Sequence, residues 1–468
     1  MSNLDKRLIL TEWIFSKFGC TDTRGGMKQF ADILKNVETG WDAQEVFHFR
    51  RHLELSLPAT REVTNDMLID YDRNIFRHWF AITQKRIVKE HRDIYPLYFQ
   101  YMSLLFTEYY LDRWSRDIQQ RETTLLDELN EFKTGFNREL PARGDNIPAV
   151  TEFVNEDLSK LAYWIATGGG KTLIMHCNIK QLDYYIRERK IERHFNKYIL
   201  ITPNEGLTDQ HIEEFEASGI AARRYEQNSA STYDKAIIEV IEITKLKEKS
   251  GVTTVAVAQF GRNNIVMVDE GHRGAGGDEW FSKRQQLCLK GFSFEYSATF
   301  GQSVNALNGT RQTEMRELYS KSIIFDYSYK YFFGDGYGKD FHILNFSHDN
   351  TAAQEQMHKL YLTACILRFY QQCKLYRENH AVYATYLIDD PLMVFVGGSV
   401  TGQKDYGMRD GNRVIKEDNR QDTDVVSALR FFGEFIADET ASIARLDLLI
   451  RGRDDLHDGD ELVFRNAF

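Results

Sequence analysis

A change of rhythm near residue 150 constrains the fold more than any other feature of this chain. From there, short apolar runs alternate with amphipathic stretches of helical periodicity. The apolar runs are residues 161–166, 198–202, 236–244, 265–268 and 292–296, and helix-like segments lie at 172–189, 206–217 and 279–289. Strands that alternate with helices build a parallel sheet with helices on both faces. We therefore predict one α/β domain over residues 149–345.

The flanking regions have a different character. Runs at 74–92 and 97–120 lack glycine-rich turns and repeat apolar residues every three or four positions, with Glu108 interrupting the apolar face. Residues 1–148 are therefore predicted as a mainly helical N-terminal domain that ends in a linker at 140–148. We assign 346–388 to a helical connector and 389–468 to the start of a further α/β lobe, with a strand at 392–396 and a helix at 425–436.

Charge and cysteine usage limit the classes of function. Lys and Arg number 59 against 69 Asp and Glu, a net charge of −10, so binding of nucleic acid would need a local basic patch. The five cysteines are scattered without a C-x-x-C pair, which favours a reducing cytoplasm over a disulfide framework or a zinc site. The uncharged run that most resembles a membrane span, 94–107, is too short and too polar to cross a bilayer.

The first chemical signal is a glycine-rich loop between a predicted strand and a predicted helix. It reads Ala166-Thr167-Gly168-Gly169-Gly170-Lys171-Thr172. Glycines let backbone N–H groups point inward at phosphate oxygens, and the next helix adds its positive end. Lys171 would reach the β- and γ-phosphates, and the Thr172 hydroxyl would ligate Mg²⁺. Ile165 replaces the first glycine of the full pattern, so a plain glycine-rich turn is the alternative.

Two further signals follow other predicted strands. Asp269, Glu270 and His272 come directly after the apolar run at 265–268, at the strand end where ligands bind in open α/β sheets. Asp269 would hold Mg²⁺ through water, and Glu270 would orient and deprotonate an attacking water. Ser297-Ala298-Thr299 ends the run at 292–296, and its two hydroxyls could bond the acidic site. Solvated strand-end turns are the alternative at both places.

In this order the motifs resemble those of superfamily 2 helicases and translocases, in which ATGxGKT, DExH and SAT are motifs I, II and III. The run at 200–207, with Thr202, Pro203 and Asn204, is similar to motif Ia, which touches the nucleic-acid backbone. The combination is most similar to the Res subunit of type III restriction enzymes and to related bacterial phage-defence helicases. The resemblance implies a RecA-like P-loop ATPase domain, followed at 389–468 by an incomplete second RecA-like lobe.

The resemblance also implies roles for individual residues. ATP would bind at residues 167–172, that is Thr167, Gly168, Gly169, Gly170, Lys171 and Thr172. Thr172 and Asp269 would hold Mg²⁺, Lys171, Asp269, Glu270 and His272 would form the catalytic set, and Ser297 and Thr299 would couple nucleotide state to nucleic-acid contact. Gly271 stands where the family has Ala or Cys, which should leave the carboxylates in place.

The chain lacks one sequence feature of this family. The Q-x-x-G-R-x-x-R motif, which supplies arginines from the second lobe, is absent from these 468 residues. We expect slow ATP hydrolysis by this chain alone, and we interpret it as the front part of a longer translocase or as a shortened one. The preferred function is a DNA rather than RNA helicase or translocase in restriction or antiviral defence, with a nuclease or other defence protein as partner. A non-catalytic ATP-binding regulatory or assembly subunit and a small-molecule phosphotransferase are the alternatives.

A helix face at residues 73–92 combines basic and aromatic residues. Arg73, Arg77, Lys85, Arg86, Lys89 and Arg92 are interleaved with Phe76, Trp79 and Phe80. Such interleaving suits a nucleic-acid groove. The interpretation that we favour is a solvated helix face whose apolar side lies in the core.

Overall fold

The computed structural model of the chain divides into two compact units, Met1–Lys339 and Asp340–Phe468. The structure describes residues 4–225, 237–247, 255–269, 278–338, 352–385, 388–395, 404–409, 412–420, 424–451, 457–458 and 461–462. Each unit is described separately below.

Six helices precede the sheet, as predicted for the N-terminal region. They are α1 Ile9–Lys17, α2 Gly26–Leu34, α3 His48–Ser56, α4 Asn65–Glu90, α5 Tyr98–Gln120 and α6 Thr124–Glu139. The Thr64 hydroxyl accepts a bond from the backbone N–H of Met67 and so caps α4, which ends at His91 in a left-handed conformation. These local signals set the ends of the longest helix in the region.

A seven-stranded parallel sheet forms the centre of the first unit. Its strands are β1 Lys160–Ile165, β2 Tyr198–Thr202, β3 Ala222–Arg224, β4 Ile238–Glu242, β7 Ile265–Asp269, β8 Phe292–Ser297 and β9 Ile323–Tyr327, while β5 Leu246–Lys247 and β6 Val255–Ala256 form a separate pair. The order across the sheet is β3-β4-β2-β7-β8-β1-β9, and every neighbouring pair is parallel. The predicted α/β class with a parallel sheet is confirmed.

Helices connect the strands of this sheet, and one more follows its last strand. They are α7 Lys171–Glu188, α8 Glu205–Ala217, α9 Asp278–Leu287, α10 Phe300–Asn305, α11 Gly309–Ser322 and α12 Tyr329–Gly334. All five predicted strands are present, whereas β3 and β9 were missed. β3 is a three-residue edge strand with two arginines. β9 follows α11 without an intervening turn, so no breaker marks its start.

The N-terminal helices pack directly against the sheet. The ring of Trp114 in α5 lies 4.6 Å from that of Phe292 in β8, and the hydroxyls of Thr107 and Tyr163 are 2.8 Å apart. One buried apolar cluster contains residues from these helices and from the sheet. The boundary assigned at residue 148 therefore does not coincide with a break in packing, and the division into domains stays an assignment from the sequence.

Glu108, predicted to interrupt the apolar face of α5, is fully buried between α4, α5 and α7. The side chains of Asn74, Gln181 and Tyr185 donate hydrogen bonds of 3.0, 2.7 and 2.7 Å to its carboxylate. Burial raises the pKa of Glu108 from 4.5 to about 7. This carboxyl therefore gains a proton more readily in the folded protein than in the unfolded chain.

We expect this buried carboxyl to make the first unit less stable as the pH rises from about 5 to 8. In that window the folded state holds a proton that the unfolded chain has lost, so the free energy of unfolding falls with pH, by an amount on the order of 2–3 kcal/mol for Glu108. Asp72, whose pKa burial raises to about 7, acts in the same direction. Melting temperatures of the wild type and of Glu108→Gln at pH 5.5 and 8 test this. The variant should lose less stability, and equal losses would contradict the assignment.

The second unit contains helices and antiparallel strand pairs in its described residues. They are α13 Ala352–Glu378, α14 His380–Thr385, β10 Lys404–Arg409 with β11 Asn412–Arg420, α15 Asp424–Ala437, α16 Glu439–Arg451, and β12 His457–Asp458 with β13 Glu461–Leu462. The helix predicted at 425–436 is confirmed as α15, and α13 and α14 lie within the stretch 346–388 that was assigned to a helical connector.

The strand that was predicted at 392–396 is wrong for its described part. Residues 388–395 have no regular secondary structure, Leu392 and Val394 are exposed, and no described strand pairs with them. Residue 396 lies outside the described residues. An incomplete second RecA-like lobe at 389–468 therefore stays a prediction. Among the helices that the structure describes, none has the length and apolarity needed to cross a bilayer.

Candidate nucleotide-binding site

The glycine-rich loop lies at the carboxyl end of β1, where it turns into α7. Gly168 and Gly170 have φ angles of +87° and +79°, a conformation that side chains rarely adopt. Gly170 precedes the first residue of α7 and forms its N-cap. The free N–H groups of the helix therefore begin inside this loop, which favours binding of an anion there.

The loop also leaves no space for side chains at its centre. A Cβ atom on Gly169 would lie 2.6 Å from Cγ2 of Ile165, and one on Gly170 would lie 2.3 Å from Nε2 of Gln100. Both distances are far below van der Waals contact. A side chain at 169 would displace Ile165, and one at 170 would displace Gln100 and strain the backbone, so glycine is favoured at both positions.

The reactive side chains of the loop follow at once. Lys171 and Thr172 are the first two residues of α7 and are half-buried, and Thr167 and Gly168 are exposed. An ammonium, a hydroxyl and a set of free backbone N–H groups are therefore all supplied by the loop and the first turn of α7. A hydroxyl oxygen such as that of Thr172 is also a suitable ligand for Mg²⁺.

The strand order brings Asp269 to the same edge of the sheet. Asp269 ends β7, which β8 separates from β1. Tyr296 of β8 pairs with Asp269 on one side and with Tyr163 of β1 on the other. Two strand spacings, about 9–10 Å, therefore separate Asp269 from Tyr163, and the loop begins three residues beyond Tyr163. Lys171 and Asp269 thus both lie at the carboxyl edge of the sheet. Glu270 and His272 lie outside the described residues.

The motif at 297–299 lies between the loop and Asp269, because β8 lies between β1 and β7. Ser297 is buried and Thr299 is half-buried. The backbone N–H of Thr299 donates to Oγ of Ser297 at 3.0 Å, and Nε1 of Trp164 in β1 donates to the carbonyl of Ala298 at 3.0 Å. The tripeptide is therefore fixed to the strand that carries the glycine loop.

Residues 202–204 begin at the last residue of β2, the strand next to β7, and lead into α8. The Thr202 side chain is buried, and its hydroxyl lies 2.6 Å from that of Thr208. Asn204 is exposed, but its side-chain oxygen accepts the backbone N–H of Leu207 at 3.0 Å and so caps α8. Pro203 is half-buried. Any ligand here would meet the backbone and Asn204 rather than the Thr202 side chain.

One partner of Asp269 was missed by sequence reasoning. Nε2 of His211, in α8, lies 3.1 Å from Oδ2 of Asp269, and the two side chains are only 5% and 17% exposed. The two residues are 58 positions apart and no spacing rule links them. Burial strongly lowers the pKa of a second histidine, His176 of α7, whose Nδ1 lies 2.8 Å from Oγ of Ser218.

The start of α5 was also missed as a part of the site. Nε2 of Gln100 donates to the carbonyl of Gly169 at 3.1 Å, while its Oε1 accepts the backbone N–H of Leu97 at 2.8 Å. Gln100 is thus fixed at both ends and holds the loop from outside. The neighbouring Phe99 stacks on Tyr327 of β9 with ring centroids 3.9 Å apart, and the Tyr327 carbonyl accepts the N–H of Ala166 at 3.0 Å.

Most of the basic helix face at 73–92 has partners within the chain. Arg86 donates to Glu214 at 2.5 Å and to Oγ of Ser218 at 3.1 Å, and Lys85 donates to the carbonyl of Glu216 at 3.3 Å. Arg77 lies over the ring of Tyr184, and Arg73 pairs with Asp70. At least four of the six cations therefore contact neighbouring residues, as expected for a structural helix face.

Comparison with known proteins identifies the class of this domain. Residues 127–302 match the family described as type III restriction enzyme, res subunit. The match begins in α6 and ends in α10, so it contains the glycine loop, β2, β7 and the tripeptide at 297–299. The resemblance to superfamily 2 is confirmed over this region, which is a helicase-like ATPase domain.

Similarity to a solved structure is weak. A solved structure, the SWI2/SNF2 ATPase core of Sulfolobus solfataricus in complex with dsDNA, is 13% identical with a TM-score of 0.26. The match covers 49% of this chain and 52% of that chain, so the present chain spans about half of the solved structure. No curated protein matches the sequence significantly.

Proposed function

We propose that this chain is an ATP-dependent nucleic-acid helicase or translocase that acts on DNA. One observation carries the proposal: β2, β7, β8 and β1 are consecutive neighbours in the sheet, and each ends in one of the four motif segments. An ATPase that moves along nucleic acid needs its phosphate loop, its metal ligand and its nucleic-acid contact to be mechanically linked. Adjacent strand ends of one rigid sheet provide such a link.

The proposed roles of the residues are those that the resemblance to superfamily 2 implies. The backbone N–H groups of the loop and the ammonium of Lys171 bind the phosphates, while the Thr172 hydroxyl and the Asp269 carboxylate hold Mg²⁺. When bound, Mg²⁺ neutralises charge that develops on the phosphate oxygens. Glu270 orients the attacking water and takes its proton. His272, Ser297 and Thr299 transmit the nucleotide state to the segment at 202–204.

The wider biological setting is a further part of the proposal. We place the chain in a bacterial restriction or antiviral defence system, together with a nuclease or other defence protein, because the matched family is a restriction subunit. The reducing cytoplasm is the proposed compartment, since all five cysteines are free thiols.

ATP hydrolysis with and without nucleic acid tests the function. We expect a basal rate below about one per second, given the absent arginine motif, and a severalfold rise with duplex or single-stranded DNA but a smaller one with RNA. Glu270→Gln should bind ATP without turning it over and is the matched inactive control. Tight ATP binding with no turnover under any condition would instead favour a regulatory or assembly subunit. No binding of ATP at all would refute both.

A further inference from the structure

The helix α8 connects the two ends of the proposed site. Its N-cap is Asn204, in the segment proposed to contact nucleic acid. Seven residues later, or about 10 Å along the helix axis, His211 reaches the carboxylate of Asp269. When a rigid helix is displaced at its first residue, its seventh residue is displaced as well. Helix α8 can therefore relate nucleic-acid contact at its N-terminal end to the contact between His211 and Asp269.

The contact between His211 and Asp269 is specific and almost free of solvent. For Nε2 to donate to Oδ2 of Asp269, the proton must sit on Nε2. The opposite ring nitrogen, Nδ1, is buried and makes no hydrogen bond to any described residue. A buried polar atom without a partner costs about 1–3 kcal/mol. An apolar side chain would avoid this cost, so packing alone does not account for a histidine here.

The surroundings of His211 hold α8 at several points. Thr208, one turn earlier, bonds Thr202 at the end of β2. Phe215, one turn later, stacks on His176 of α7 with centroids 4.4 Å apart. Ser218 at the C-terminal end bonds His176 and Arg86. The helix is thus fixed to β2, α4 and α7, and α7 begins with Lys171.

We propose that His211 is a positioning residue that fixes the Asp269 carboxylate for the metal and passes movement of α8 to it. Contact of nucleic acid with the N-terminal end of α8 then changes the orientation of Asp269 through the bond from Nε2. The inference rests on the proposed function, since it assumes that Asp269 holds Mg²⁺ and that 202–204 meets nucleic acid. It assigns a coupling role to α8 in addition to the one proposed for residues 297–299.

The test compares His211→Leu, which removes the donor, with His211→Gln, whose Nε2 can occupy a similar position. The first measurement is binding of a fluorescent ATP analogue by the full chain as Mg²⁺ is titrated. His211→Leu should need about fivefold to tenfold more Mg²⁺ for half-maximal binding, with little change at saturating Mg²⁺. His211→Gln should restore most of the difference. The second measurement is the ratio of ATP hydrolysis with and without DNA, which His211→Leu should reduce towards one.

A buried control separates positioning from general destabilisation. His78→Leu removes another buried histidine, which lies in α4 with its ring 6.0 Å from that of Tyr184 in α7. It should lower the melting temperature without moving the Mg²⁺ midpoint. An unchanged Mg²⁺ midpoint and an unchanged DNA response in His211→Leu, with a wild type that binds ATP and responds to DNA, would overturn the inference alone. A wild type that binds no ATP would overturn the proposed function itself.

Discussion

Replacement of Lys171 by alanine is expected to weaken binding of ATP–Mg²⁺ at least about 100-fold. Lys171 is the cation at the N-terminal end of α7, directly after the glycine loop. Hydrogen bonds to charged groups contribute about 1.5–3 kcal/mol each, and 100-fold corresponds to about 2.8 kcal/mol. Equilibrium titration with a fluorescent ATP analogue measures the loss directly.

The control for this variant is Lys180→Ala, nine positions along the same helix. Lys180 is half-buried and lies about 13 Å along the axis from Lys171. Its removal should leave the affinity within twofold. Thermal unfolding in the absence of nucleotide should show that both variants keep the fold. If Lys171→Ala binds ATP as the wild type does, the phosphate loop is not where the nucleotide sits.

A second large effect is expected for Gly170→Ala, which should lower both stability and ATP affinity. The residue has φ +79°, and its new Cβ would lie 2.3 Å from Nε2 of Gln100. The backbone strain amounts to about 1–2 kcal/mol. Gln100 must also move and give up its bond to the carbonyl of Gly169. We expect a melting temperature lower by about 3–6 °C and ATP affinity reduced at least tenfold, from titration and thermal unfolding.

Two further variants separate strain from collision. Gly309→Ala places alanine at φ +58° in open space, so it should lower stability and leave ATP affinity unchanged. The double variant Gly170→Ala with Gln100→Ala removes the collision but keeps the strain, so it should regain part of the stability and little of the affinity. Full ATP affinity in Gly170→Ala would show that the conformation of this loop does not matter for binding.

The main features of the site follow from local sequence and from one rule of topology. The glycine loop, Asp269 and the tripeptide at 297–299 each follow a short apolar run, and parallel strands place their carboxyl ends at one edge. The loop and the helix after it were therefore predictable without coordinates. The order of the strands, which puts Ser297 between Lys171 and Asp269, was not predictable from the runs themselves.

The contacts that were missed join residues that are far apart in the chain. Gln100 meets Gly169 across 69 positions, and His211 meets Asp269 across 58. Neither the residue types nor their spacing in the sequence predicts such a contact. Glu108 was predicted to interrupt an apolar face. Its three hydrogen-bond donors come from α4 and α7, so the sequence of α5 alone does not reveal them. The apolar run at 392–395 looked like a strand, yet a strand requires a neighbour to pair with, and the sequence alone does not supply that information.

The most direct test of the account is a crystal structure of the chain with Mn²⁺ and a non-hydrolysable ATP analogue. Mn²⁺ replaces Mg²⁺ and can be located by its anomalous scattering. We expect the triphosphate on the backbone N–H groups of residues 168–171 and the Mn²⁺ peak between the Thr172 hydroxyl and the Asp269 carboxylate. Nucleotide and metal bound away from the carboxyl edge of β1 and β7 would contradict the central claim.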